Sequence, residues 1–198
     1  MNGWKDCHLG DILTFQRGHD LPKKQMVSGE YPVVGSNGVI GYHNEYTTEA
    51  PSITIGRSGN TGNPFIVYGR SWSHNTTLYI KAFKDSDPVY VYYLLKTLNL
   101  GNFAGGSAVP TLNRNHIHNL DISVPPLPGQ VEIGRTLRAL DDKIANNSKI
   151  NHHLASLRSA TESSPDIKRG SKASRKAARR LFSARLTRTF SNNGAVVE

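Results

Sequence analysis

The stretch from Pro128 to Ser159 limits the possible folds more than any other part of this chain. After Pro128 it holds no proline and only Gly129 and Gly134 interrupt it, while Ile133, Leu137, Leu140 and Ile144 recur at spacings of 4, 3 and 4, as along a heptad seam. In the same register the line then meets Asn147 and Asn151 before Leu154. Ile150 and Leu157 lie beside it, so the apolar stripe shifts. A helix of about 30 residues spans about 45 Å, longer than a typical globular helix. It is either an arm that packs on something else or a C-terminal helix folded back on its own sheet, and spacing leaves both open.

What precedes this helix reads as β structure. Runs at Ile12 to Phe15, Tyr31 to Val34, Val39 to Tyr42, Ser52 to Ile55, Pro64 to Tyr68 and Thr76 to Ile80 are separated by turn formers such as Ser36-Asn37-Gly38 and Gly59-Asn60-Thr61-Gly62. Ile53-Thr54-Ile55 alternates, as half-buried strands do. Asp87 is placed to cap a helix that Pro88 opens, with Tyr90, Leu94 and Leu98 on one face. A glycine-rich break, Gly101 to Gly106, follows. Leu120 to Val124 is a further strand, stopped by Pro125-Pro126. The expected class is therefore α+β: a β-rich domain over 1–126, a long helix over 127–160 and a basic tail over 161–198.

Composition excludes several classes. A chain of 198 residues suits one domain with an appendage. Its apolar runs are too short to span a membrane, and Met1 to Gly10 has no apolar signal core. A single cysteine, Cys7, leaves no internal disulfide and no multi-cysteine zinc site. A cytoplasmic protein is expected. Of the net charge of +9, most belongs to the tail, where residues 161–198 carry nine basic and three acidic side chains against 15 and 12 before it. With Arg175-Lys176-Ala177-Ala178-Arg179-Arg180 as its most basic run, the tail reads as a disordered basic arm, or as a marginal helix over Ala173 to Leu186.

No catalytic or metal constellation assembles. Gly-x-Ser-x-Gly and His-Glu-x-x-His are absent, and the glycine-rich Gly56-Arg57-Ser58-Gly59-Asn60-Thr61-Gly62 lacks the lysine of a phosphate loop. His116-Ile117-His118 and His152-His153 are the only close histidine groups and read as structural or surface residues rather than ligands. Asp141-Asp142 diverge on a helix and read as surface charge. What remains is polar turns suited to nucleic acid: Ser36 and Asn37; Arg57, Ser58 and Asn60; Asn113, Arg114 and Asn115; and, more weakly, His74 and Asn75. Arginine can fork onto guanine and asparagine onto adenine, each worth about 1–3 kcal/mol of discrimination. Lys23, Lys24, Lys81 and Lys84 are candidate phosphate contacts. Serine, asparagine and glycine are also ordinary turn formers.

The order of these features resembles a known family. Trp4, Leu9-Gly10-Asp11-Ile12 and Gly18, then Tyr31-Pro32-Val33 to Gly35-Ser36-Asn37-Gly38 and Ile40-Gly41, then Ile53-Thr54-Ile55-Gly56-Arg57-Ser58-Gly59 and Trp72-Ser73-His74-Asn75 resemble a target-recognition domain of the specificity subunit (HsdS) of type I restriction-modification systems. The exit, Pro125-Pro126-Leu127-Pro128, Gln130, Ile133, Leu137 and Leu140-Asp141-Asp142-Lys143-Ile144, resembles the start of that family's spacer helix, with Gly129 where glutamate is common. The resemblance covers about 155 residues and implies a non-catalytic adaptor. One recognition domain would read half of a split double-stranded DNA target, and S-adenosylmethionine and ATP with magnesium would belong to methyltransferase and restriction subunits docked on it. With one recognition domain and one spacer helix, a half-subunit is expected. It would be completed as a homodimer through Ile133, Leu137, Leu140, Ile144, Asn147, Ile150, Leu154 and Leu157, the asparagines setting register. The competing readings are a stand-alone DNA-binding protein without enzyme partners, and an RNA- or carbohydrate-binding β domain that would display exposed aromatics.

Overall fold

The structure, a computed structural model, describes residues 3–106, 109–162, 176–177 and 179–184. In chain order it comprises β1 (Lys5–His8), α1 (Leu9–Ile12), β2 (Leu13–Arg17), β3 (Tyr31–Gly35), β4 (Gly38–His43), β5 (Ser52–Gly56), β6 (Pro64–Val67), β7 (Trp72–Ser73), β8 (Thr77–Phe83), α2 (Pro88–Thr97), β9 (Ala104–Gly105), β10 (Thr111–Leu112), α3 (Arg114–His118), β11 (Asp121–Val124) and α4 (Leu127–Glu162). Two compact units divide the chain, Met1–Ala139 and Leu140–Glu198. The first therefore extends past the Pro125-Pro126 break at which the sequence places the domain border.

The principal sheet is antiparallel with strand order β2-β8-β5-β6, and a second sheet runs β4-β3-β7. The β-branched and aromatic residues of these strands supply the core. Phe15, Ile53, Ile55, Leu78 and Ile80 join Leu9, Leu13, Val91, Leu95, Leu100, Leu112 and Ile117 in one buried cluster, each full burial stabilising by about 1.5–3 kcal/mol. One sequence expectation is corrected here. β5, paired with β8 on one side and β6 on the other, is not half-buried: Thr54 is as covered as its isoleucine neighbours, so both faces of the strand are packed over. The α2 helix turns the Tyr90-Leu94-Leu98 line to the core as expected, and because apolar residues nearly encircle it, Val91, Tyr93 and Leu95 on either side of that line are buried as well.

The N-terminus is tied to a distant strand. β1 pairs antiparallel with β11, Lys5 opposite Val124 and His8 opposite Asp121, so the segment leading into α4 is held in a sheet. Asp87 caps α2 as expected, its carboxylate accepting from the Tyr90 N–H at 2.8 Å with Pro88 at the first turn. The start of α4 is bonded to that same cap. The buried Gln130 donates through Nε2 to the Pro125 carbonyl at 3.0 Å, and its Oε1 accepts from the Asp87 N–H at 3.0 Å. Gly134 permits the contact: a Cβ there would stand 2.9 Å from both the Asp87 Oδ1 and the Tyr90 nitrogen. Arg138 lies over the Tyr68 ring, 3.9 Å from its centroid.

α4 runs for 36 residues, about 54 Å at 1.5 Å per residue. Its apolar stripe is unevenly covered. Ile133, partly buried, packs on the domain's own core cluster. Leu137, Ile150, Leu154 and Leu157 are half-buried, whereas Leu140 and Ile144 are 50% and 62% exposed and Asn147 is exposed. Of the tail, residues 176–177 and 179–184 are helical, which departs from the disordered reading for those positions. Lysine, alanine, arginine and leucine are strong helix formers. Residues 161–162 end α4, and the remainder of the tail lies outside the described residues.

Candidate nucleic-acid interface

The polar turns singled out in the sequence lie far apart along the chain, and the backbone gathers them at one end of the sheets. The β3–β4 turn carries Ser36 and Asn37, the loop after β5 carries Arg57 to Asn60, and the β7–β8 turn carries His74 and Asn75. Ser36 joins all three: its single hydroxyl proton is shared between the Ser58 carbonyl at 2.6 Å and the Thr76 carbonyl at 2.8 Å. Thr76 is the hub, because its carbonyl also accepts from the Arg57 N–H at 2.8 Å and the Ser58 N–H at 3.2 Å. The His74 N–H donates to the Val34 carbonyl at 2.9 Å. The fourth cluster is tied in by the Leu112 N–H, which donates to the Arg57 carbonyl at 2.8 Å, and by a bridge between Ser58 and Thr111.

The close approach depends on Gly56. A Cβ at this position would fall 1.7 Å from the Asn60 carbonyl oxygen, so the loop folds back directly over the end of β5. The Gly62 N–H returns to the Gly56 carbonyl at 2.8 Å, and the Gly56 N–H donates to the Asn63 carbonyl at 3.1 Å.

These bonds sort the candidate residues into supports and free groups. Ser36 is committed to holding the loops. Asn113 caps α3, its side-chain oxygen accepting from the Asn115 N–H at 3.0 Å. Asn60 accepts from the Asn63 amide, and the Asn75 amide donates to Asp20. His74 bonds Thr76 Oγ1 through Nδ1 at 3.1 Å, and burial lowers its pKa, opposed by the nearby Asp20 carboxylate. Asn37, Arg114 and Asn115 are exposed, and Arg57 and Ser58 half-buried. Among the lysines, Lys84 is bound to the Gly10 carbonyl at 2.6 Å.

Arg57 and Arg114 meet on an open cleft of about 410 Å³ lined also by Leu78, Thr111, Leu112 and Asn113, and by Arg17. Arg17 was missed in the sequence. It ends β2 opposite Leu78, and a single arginine at the end of a strand carries no turn signal. Among the described residues, no acidic side chain lines the cleft.

His118, at the end of α3, ties that helix to β2. Its Nε2 accepts from the Phe15 N–H at 3.0 Å and its ring stacks on Phe15 at 5.9 Å, so the imidazole must be neutral to serve. Burial, then the positive charges of Arg114 and Lys84, lower its pKa. An unfolded histidine takes its proton near pH ~6.5. Because the folded value is lower, this stabilisation is complete above about pH 6.5 and is lost as pH falls from there through the folded value. His118→Gln retains an acceptor that does not titrate and is expected to flatten the fall in unfolding midpoint between about pH 7.5 and 5.5. A pH slope identical to the parent chain's would dissociate His118 from acid sensitivity.

Residues 1–156 match the family described as type I restriction modification DNA specificity domain. The chain belongs to this family. Among curated relatives of this specificity-domain chain, the type I restriction enzyme EcoprrI specificity subunit of Escherichia coli is 26% identical over 139 residues, 67% of this chain and 35% of the relative. A putative type I restriction enzyme specificity subunit, S.HindORF215P of Haemophilus influenzae, is 28% identical over 143 residues, 69% and 37% of the two chains. The fold is that of solved specificity subunits. The type I restriction-modification S subunit from M. genitalium superposes with a TM-score of 0.67 at 17% identity over 80% of this chain and 44% of that one. The HsdS subunit from Thermoanaerobacter tengcongensis does so with 0.57 at 14% over 96% and 45%. The specificity-domain chain thus spans little more than a third of the length of the curated relatives it matches, and under half of these structures.

The described residues hold no helix long and apolar enough to cross a membrane. Exposed aromatics, the expected mark of an RNA or carbohydrate binder, include Tyr42, Tyr46 and Tyr68. Tyr46 and Tyr68 each carry an arginine over one ring face, Arg70 and Arg138.

Proposed function

We propose that this chain is a DNA sequence-recognition component of a type I restriction-modification complex, non-catalytic in itself. Its Met1–Ala139 unit reads one half of a bipartite duplex target, and the remainder of α4 joins a second such helix. The observation that carries this reading is the convergence of four polar turns, locked through the Thr76 carbonyl and the Ser36 hydroxyl, two of which line an arginine cleft that has no carboxylate among the described residues. Loops held this rigidly can present donors at fixed positions to base edges, as direct readout requires. Family membership supports a methyltransferase subunit and a restriction subunit as partners. S-adenosylmethionine, ATP and magnesium would be bound by those partners and not by this chain.

The exposed Leu140 and Ile144 support self-association through α4 as the means of placing two readers on one DNA. A two-fold dimer would read a palindromic split site. A stand-alone DNA-binding protein has no observation here that favours it over the family's role.

Arg57 supplies the test. It is half-buried and its backbone is bonded on both sides, so its guanidinium is the best-positioned of the three. The full chain is incubated with a random-sequence duplex library, and bound DNA is recovered and sequenced. Arg57→Ala is expected to erase preference at one or two positions of the enriched motif, a loss of about 1–3 kcal/mol of discrimination. Equal weakening on every sequence would reassign Arg57 to backbone contact, and a parent chain that enriches no motif would remove the reading altogether.

A further inference from the structure

We infer that Arg17 holds a backbone phosphate of the bound duplex beside the base that Arg57 reads. This rests on the reading above and adds to it a residue and a ligand chemistry. Three arginines, Arg17, Arg57 and Arg114, line one open cleft. None of the three has a carboxylate in ion-pair contact among the described residues. Like charges gathered without a counter-charge repel one another, and the cleft itself supplies no relief. A neutral base edge relieves this only through its dipoles, whereas a phosphodiester brings a full negative charge. At least one of the three is therefore matched to an anion.

Arg17 is the member whose setting fits that part. It is exposed at the end of β2, and its side chain can follow a phosphate whose position varies little with sequence. The strand beneath it is fixed: the Gly18 N–H donates to the Thr77 carbonyl at 3.0 Å and the His19 N–H to the Ser73 carbonyl at 2.8 Å. These bonds anchor Arg17 to the same β7–β8 turn that positions Arg57. The contact would therefore set the height of the reader over the groove, so that Arg57 meets the same base pair at each encounter.

The test uses the full chain on two duplex probes, the motif enriched from the random library and a scrambled sequence of equal length, over a series of salt concentrations. Arg17→Ala is expected to weaken binding of both probes by the same factor, about 5- to 10-fold at low salt. It should reduce the slope of log affinity against log salt by about 0.9 and leave the enriched motif unchanged. Arg17→Lys should restore most of the affinity and the slope, because a point charge suffices for a phosphate where a bidentate fork is needed for guanine. Equal unfolding midpoints for the variants and the parent exclude a folding defect. A shifted motif would make Arg17 a base reader, and unchanged affinity and slope would place it off the DNA; either overturns the inference while leaving the recognition role intact. A parent chain that binds neither probe would instead overturn the recognition role and, with it, this contact.

Discussion

Replacing Gly56 with alanine is expected to remove recognition and to destabilise the fold by about 3 kcal/mol or more, at the upper end of what overpacking costs. The added methyl would lie 1.7 Å from the Asn60 carbonyl oxygen, which belongs to the backbone and not to a flexible side-chain tip. Neither neighbour can turn aside. The loop must lift, and with it go the Gly62 N–H bond to the Gly56 carbonyl, the Arg57 and Ser58 bonds to Thr76 and the Leu112 bond to Arg57. Gly59 provides the contrast within the same loop. It has a φ of +79° with nothing within 4 Å of a Cβ, so Gly59→Ala should cost only the left-handed penalty of about 1–2 kcal/mol. Thermal unfolding of both variants, with enrichment from a random duplex library, checks the pair. A Gly56→Ala chain as stable as Gly59→Ala, or one still selecting the parent's motif, would contradict the geometry described for this loop.

The second large effect is on association. Leu140 and Ile144 lie one turn apart on α4 and are largely exposed. In a symmetric helix pair each would be buried twice, once from each chain. Leu140→Asp with Ile144→Asp replaces that apolar contact with carboxylates that resist burial. Losing about 1.5–3 kcal/mol for each buried side chain weakens the dimer by at least about a thousandfold. Sedimentation across a range of concentrations should find the parent chain as a dimer and the double variant as a monomer with an unchanged unfolding midpoint for the first unit. A parent chain that stays monomeric throughout, or a double variant with the parent's mass, would remove α4 from the interface.

Much of this architecture was legible because local chemistry and tertiary structure agree. The strands β3 to β6 and β8 are β-branched or aromatic runs between turn formers, and Asp87-Pro88 states the start of α2 outright. The long helix was legible from its proline-free heptad spacing. What escaped depends on partners distant in the chain. β1 reads as Lys-Asp-Cys-His, with no strand pattern of its own, and exists because β11 pairs with it. The alternation at Thr54 points to a wet face, and only the packing over that face, set by distant parts of the chain, dries it. Ile133 continues the stripe of Leu137 and Leu140 in sequence, and its packing on the domain core is set by distant residues. The interface was legible as a set of turns and illegible as a surface. Nothing local tells that the Ser36 hydroxyl would be spent on Ser58 and Thr76, that Asn113 would cap a helix, or that Arg17 would share a cleft with Arg57 and Arg114.

The anchoring of Gln130 has a bearing on how such modules can be exchanged. Cutting the chain at the Pro125-Pro126 pair would strand the Pro125 carbonyl and the Asp87 N–H without their partner, and would strip Ile133 from the core it covers. A transplant of this reader onto a foreign stem therefore has to bring the first turns of α4 along, through Ala139, and the natural splice point lies within the helix rather than at the prolines that announce it.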